Sequence, residues 1–194
     1  RFKSSGYKTA RVEFATLAVL FGVVAQYDGD VRWKDQAAGI RDAMASAGFA
    51  CSEGSDDSHR LAKQQTESLT EMVRGIKVSF PEASPTVAWG DVAELLPLMK
   101  RMAQANKGLK GMLASGAEFE SDKDKVLKEA QILAALAKVI QDPEEEAEYV
   151  GFAKQLQHHA MQLAKSAEQD QFNQAAQSLD FVMKTCTACH DEYQ

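Results

Sequence analysis

From Tyr149 to Ala167 apolar residues recur every three or four positions, as Tyr149, Phe152, Leu156, Ala160, Leu163 and Ala167. An α-helix, with ~3.6 residues per turn, brings such residues onto one face, and that face must be buried against a neighbour. The pattern returns along the chain. Phe172, Ala175, Leu179, Val182, Cys186 and His190 form another stripe, and Val12, Ala15, Val19 and Val23 a third. The period-two alternation of a half-buried strand is almost absent. The 194 residues include 30 Ala but only 12 Gly and 4 Pro, a usage that favours helices over sheets. The chain is therefore expected to be all-α.

Breaks between stripes predict seven helices. The first covers about 9–27 and stops at Tyr27-Asp-Gly-Asp30. The second covers about 31–47, with Gly48 as its C-cap. The loop 51–57 then caps a third over 58–77. Phe80-Pro-Glu-Ala-Ser-Pro85 holds two of the four prolines and reads as a linker. It divides the chain into 1–85 and 86–194. A fourth helix is expected over 92–114, with Pro97 at its start or at a kink, and a fifth over 121–141, capped by Ser121-Asp-Lys-Asp. Asp142-Pro143 opens the sixth, where Glu144, Glu145 and Glu146 complement the helix dipole. The seventh runs from about 171 to the end.

Charge excludes some functions. Lys and Arg number 22 and Asp and Glu 28, for a net charge of -6, and neither half is basic. A nucleic-acid partner is not expected. The longest apolar run, Leu17 to Ala25, is shorter than the ~20 residues of a transmembrane helix, so no membrane span is expected. Arg1, Lys3, Lys8 and Arg11 ahead of that run imitate an export signal. Glu13 interrupts the imitation, no initiator Met precedes it, and the same pattern recurs in the second half. A folded helix of a mature chain is expected instead.

Cys186-Thr-Ala-Cys189-His190 carries the chemistry. Positions i, i+3 and i+4 of a helix share a face, so two thiols can each add to a vinyl group of one porphyrin while the next imidazole meets the iron. This C-x-x-C-H is the attachment signature of one covalent haem c. Cys186 and Cys189 would be the thioethers and His190 the proximal iron ligand. A zinc site would have to draw on Cys51, His59, His158 and His159, with no second C-x-x-C. A redox dithiol would sit after a strand, in a context that is missing here.

The two halves also resemble each other. At an offset of 116, Glu13, Leu17, Ala18, Leu20, Val23 and Ala37 match Glu129, Leu133, Ala134, Leu136, Val139 and Ala153. After Cys51 the offset becomes 110. Cys186, Cys189 and His190 then correspond to Ile76, Ser79 and Phe80. A duplicated first half would have lost the haem chemistry.

Residues 99–194 resemble the cytochrome c′ family, including its cytochrome c556-like relatives. The run from Met99 to Leu113 is similar to that family's first helix. Asp142-Pro143 falls where its second and third helices join, and Cys186 to Tyr193 resembles its terminal haem helix. The resemblance implies an antiparallel four-helix bundle with haem inside one end, and a haemless, degenerate copy in 1–85. It implies a single-electron carrier rather than an enzyme, exported to the periplasm, docking with redox partner proteins and able to pair as a homodimer. Met99 or Met102, on the segment matching the haem-distal helix, is the candidate sixth ligand. If an apolar side chain lies there instead, the iron stays open to small gases such as nitric oxide. A structural role for the haemless half is a third option.

The remaining residues have ordinary explanations. Met112 is a core filler. Cys51 sits in a polar loop, open to an intermolecular disulfide. His158 and His159 flank the sixth stripe at the surface or core edge, while Trp33 and Tyr149 are expected in the core. Lys100, Arg101, Lys107 and Lys110 lie in a stretch, 98–117, without Asp or Glu. They are expected on a solvated face, near haem propionates, or in a docking patch.

Overall fold

The computed structural model describes residues 1–141 and 147–193, the side chains of Ala147 and Glu148 excepted. Among the described residues there are seven α-helices and no strand, so the fold is all-α. They are α1 (Tyr7–Gln26), α2 (Ala37–Ala50), α3 (Asp56–Val73), α4 (Leu95–Met112), α5 (Gly116–Val139), α6 (Ala147–Glu168) and α7 (Phe172–Tyr193). The helix start expected at Pro143 and the dipole role of Glu144, Glu145 and Glu146 lie outside the described residues.

Helix α2 runs over Ala37–Ala50 rather than 31–47, with Cys51 and not Gly48 as its C-cap. Two further boundaries move for local reasons. Helix α5 starts at Gly116 rather than at residue 121, because the Ser115 hydroxyl accepts the Glu118 N–H at 3.2 Å. Ser115-Gly-Ala-Glu118 is a capping sequence of the S-x-x-E kind, which leaves Ser121 inside the helix. Helix α3 stops at Val73 rather than near 77. Gly75 takes φ +84°, and the N–H groups of Gly75 and Ile76 donate to the carbonyls of Met72 and Glu71 at 3.1 and 3.0 Å. That left-handed stop suits glycine. The start of α3 carries a capping box between Ser55 and Ser58.

The chain forms two units, Arg1–Arg101 and Met102–Gln194. The first is built on the α1–α2 hairpin, with Val19, Ile40 and Met44 at its centre. Gly48 lets α2 approach α1 closely, since a Cβ there would lie 3.3 Å from the Ala15 backbone nitrogen. Lys34 donates to the last carbonyls of α1, those of Val24, Ala25 and Tyr27, and complements the negative helix end. By length and composition Phe2–Gln26 would suffice to cross a membrane, more than the run from Leu17 indicated. In this unit Val12, Phe14, Ala18 and Val19 are buried, and α1 packs along α2.

The segment Phe80–Pro85, expected as a linker, and the residues after it up to 91 are packed on this hairpin. The Pro81 carbonyl occupies the space a side chain at Gly39 would need, and the Trp89 ring lies 2.7 Å from where a Cβ at Gly22 would be. Arg41, fully buried, donates to the Pro85 carbonyl at 3.3 Å and to the Asp42 carboxylate at 2.7 Å. The first unit accordingly continues past residue 85 into α4.

In the second unit α5 and α6 pack along each other, as do α6 and α7. Gln141 at the end of α5 donates to the Ala153 carbonyl and to Gln157 on α6. On the next pair, His159 of α6 stacks on Phe181 of α7, and Tyr149 meets Tyr193 edge-on. Both pairs are therefore antiparallel. Lys123 pairs with Asp170 and Phe119 meets Phe172, so α5 and α7 start at the same end. Leu133, Leu136 and Leu163 are fully buried between these helices.

The hairpin registers of the two units match to within one helical turn. In the first, Gly22 of α1 faces Arg41 of α2. Shifted by the repeat offset, this pair becomes Lys138 and Gln157, and Gln157 is bonded to Gln141 within a turn of Lys138. Each hairpin also places an inward polar side chain at that position, Arg41 or Gln157.

Candidate functional site

Helix α7 carries Cys186, Cys189 and His190 on one face of its last two turns. Both thiols are free and partly buried, and the imidazole is exposed. Among the described residues no hydrogen bond, ion pair or ring contact engages His190. One turn on, Tyr193 meets Tyr149 at 5.9 Å and Phe152 at 6.4 Å, both near perpendicular. These aromatics secure the end of α7 to α6 and so fix the turn that presents His190. Tyr149 stands at this edge, and Trp33, at φ 67° in the turn before α2, lies partly buried beside Phe21 rather than in the centre of a core.

Sequence reasoning missed Asn106. Its amide donates to the Cys186 sulfur at 3.5 Å, which brings α4 against α7 beside the first thiol. Its Oδ1 is buried and has no hydrogen-bond partner among the described residues. A buried unsatisfied oxygen is costly, and mid-helix Asn is a poor choice for helix stability alone. An Asn on the apolar stripe of Met102, Ala105 and Leu109 was the signal that could have found it.

Burial pushes the Cys186 thiol above its ordinary range, and the Asn106 hydrogen bond pulls it back in part. Cys189 is pushed up by burial, then by the neighbouring Cys186 and Glu192. Both sulfurs are therefore mostly protonated near neutral pH.

Met102 is 4% exposed and lies one turn before Asn106 on the same face of α4, within the unit that holds the motif. Met99 is partly buried and belongs to the first unit, and Met112 is partly buried near the end of α4. Of the cations in 98–117, Lys100, Lys107 and Lys110 are exposed, whereas Arg101 is buried and so is not part of a solvated face.

Cys51 is not in an open loop. It closes α2, its amide donating to the Ala47 carbonyl at 3.1 Å, and is fully buried, so its thiol is withdrawn from a second chain. Burial also raises its pKa. His158 is exposed, and His159 lies partly buried 5.0 Å from the Phe181 ring. Among the described residues no three His, Cys, Asp or Glu side chains are grouped to hold a metal ion. Haem c does not require such a group, since its thiols bind the porphyrin edge and one imidazole meets the iron. Comparison with family models, curated proteins and solved structures finds no match to this chain.

Proposed function

We propose that this chain is a c-type cytochrome whose second unit is a four-helix bundle of the cytochrome c′ kind, carrying single electrons. The observation that carries this is the placement of Cys186 and Cys189 on one face of α7, with His190 at the next position. The donor set fits haem c. Two partly buried thiols share one face of α7, the first of them reached by Asn106 of α4; among the described residues the imidazole that follows has no partner and the Asn106 amide oxygen lacks a donor.

Cys186 and Cys189 would hold the porphyrin, each S–H adding across one vinyl double bond, the sulfur to one carbon and the hydrogen to the other. His190 would hold the iron. Haem c supplies a one-electron couple when bound. The rest is done by the chain. The α6 aromatics around Tyr193 orient the turn of His190, and Asn106 keeps the Cys186 sulfur directed toward α4. Met102, buried on that face, would be a second residue to hold the iron, and a Met/His pair raises the reduction potential. Single-electron transfer requires no substrate site, and no residue here is assigned a catalytic role. Covalent haem of this type implies an exported, periplasmic chain, with larger redox proteins as partners.

Optical spectra of the ferric and ferrous protein test this function. Low-spin spectra in both states, converted to high-spin by Met102→Ala, are expected. High-spin spectra in the unmodified chain, with fast carbon monoxide or nitric oxide binding, would overturn the electron-carrier proposal in favour of gas binding.

A further inference from the structure

The geometry points to a second site, in the first unit, that binds a small dianionic oxyanion of phosphate size. A pocket of about 140 Å³ is lined by Tyr7, Lys8, Arg11, Ser52 and Lys100, with Leu96 and Pro97 on its apolar side. Its walls come from three places in the chain. Tyr7, Lys8 and Arg11 belong to the first turns of α1, and i, i+3 spacing sets Lys8 and Arg11 side by side. Leu96, Pro97 and Lys100 come from the first two turns of α4. Ser52 follows the buried Cys51 that closes α2. The close approach of Gly48 to Ala15 holds α1 and α2 together, so the pocket is preformed.

Its charge selects the ligand. Three cations and no carboxylate line it, and Glu94, outside the lining, is engaged by Arg11 through Nε and Nη2. Among the described residues Lys8 and Lys100 have no ion pair, and no acceptor meets Nη1 of Arg11. Counting Glu94, the cluster carries two net positive charges in a chain whose net charge is -6. Like charges gathered at one concave surface attract a counter-charge. A guanidinium edge, two ammonium groups and the hydroxyls of Tyr7 and Ser52 are all donors, the set that suits a tetrahedral oxyanion. The volume admits a phosphate group and is too small for a nucleoside.

This site contains none of the haem-attachment residues, so its test stands apart from the haem proposal. The full-length chain is titrated with inorganic phosphate by isothermal calorimetry, ionic strength being held constant with chloride. One saturable site is expected. Lys8→Met and Lys100→Met should each weaken it about tenfold, the loss of one charged hydrogen bond. Lys107→Met with Lys110→Met, exposed elsewhere on α4, should leave it unchanged. Circular dichroism of each variant checks that the helices persist. A parallel titration with O-phosphoserine separates the sources. Tighter binding than inorganic phosphate identifies a phosphate ester as the ligand, and weaker binding identifies the free ion. Absence of saturable heat with both anions, or binding that Lys8→Met and Lys100→Met leave intact, would overturn the site.

Discussion

The side-chain amide of Asn106 on α4 donates to the sulfur of Cys186 on α7 at 3.5 Å, and the carbonyl of the same amide is buried without a donor among the described residues. One half of this side chain holds the first thiol of the motif, and the other half engages no donor among the described residues. The hydrogen bond lowers the Cys186 pKa against the rise imposed by burial. In Asn106→Leu, alkylation of Cys186 by iodoacetamide in the haem-free chain should slow severalfold at pH 8, because the thiolate is the reacting species. Cys189 should not slow. Equal slowing at both thiols, followed by mass spectrometry of the peptides, would assign Asn106 a merely structural role.

Arg41 and Asp42 respond unequally to substitution. Arg41 is 1% exposed and its partner carboxylate is half exposed. Removing the carboxylate in Asp42→Ala leaves a buried guanidinium with only the Pro85 carbonyl, at a cost of about 3 kcal/mol. Arg41→Met retains the packing and frees an exposed carboxylate, and should cost less. Urea unfolding of both variants measures the order; a larger loss in Arg41→Met would contradict the packing described around Trp89 and Pro85.

Gly39 gives the docking of residues 80–91 its own test. A Cβ at Gly39 would collide with the Pro81 carbonyl, whereas one at Gly90 meets nothing within 4 Å. Gly39→Ala should destabilise the chain by about 1–3 kcal/mol, and Gly90→Ala should stay within about 0.5 kcal/mol. Similar midpoints in thermal melts would mean that 80–91 is a free tether.

His159 introduces a pH dependence. Burial, and then the neighbouring His158, hold its pKa below the ordinary histidine value. The unfolded chain therefore takes up the proton first as pH falls. The His159 contribution to stability is intact above about pH 6.5 and declines below it, toward the lower folded-state value. The unfolding midpoint should fall between pH 7 and pH 5, and His159→Phe, stacked on Phe181, should flatten that fall. An unchanged slope in the variant would exclude His159 as the source.

Periodicity made the all-α fold and most helices legible, because each helix buries one face and the apolar spacing records it. The stops were harder to read. Gly75 and Ser115 set the ends of α3 and α5 through single backbone or capping bonds, and no apolar spacing reports those. The linker at Phe80–Pro85 misled for a related reason. Two prolines rule out a helix there but say nothing of whether an extended segment lies on Gly39 and Gly22. That Cys186, Cys189 and His190 share one face of a helix followed from spacing alone. The role of Asn106 did not, since it depends on which helix of the unit meets α7.

Intact-mass spectrometry of the chain, expressed in a periplasm with haem-maturation proteins, tests the central claim most directly. The expected result is a mass increased by one haem, retained through denaturation, with a pyridine haemochrome spectrum of a thioether-linked porphyrin, and lost when Cys186→Ala and Cys189→Ala are combined. A folded, unmodified chain at the mass of the polypeptide alone would contradict it.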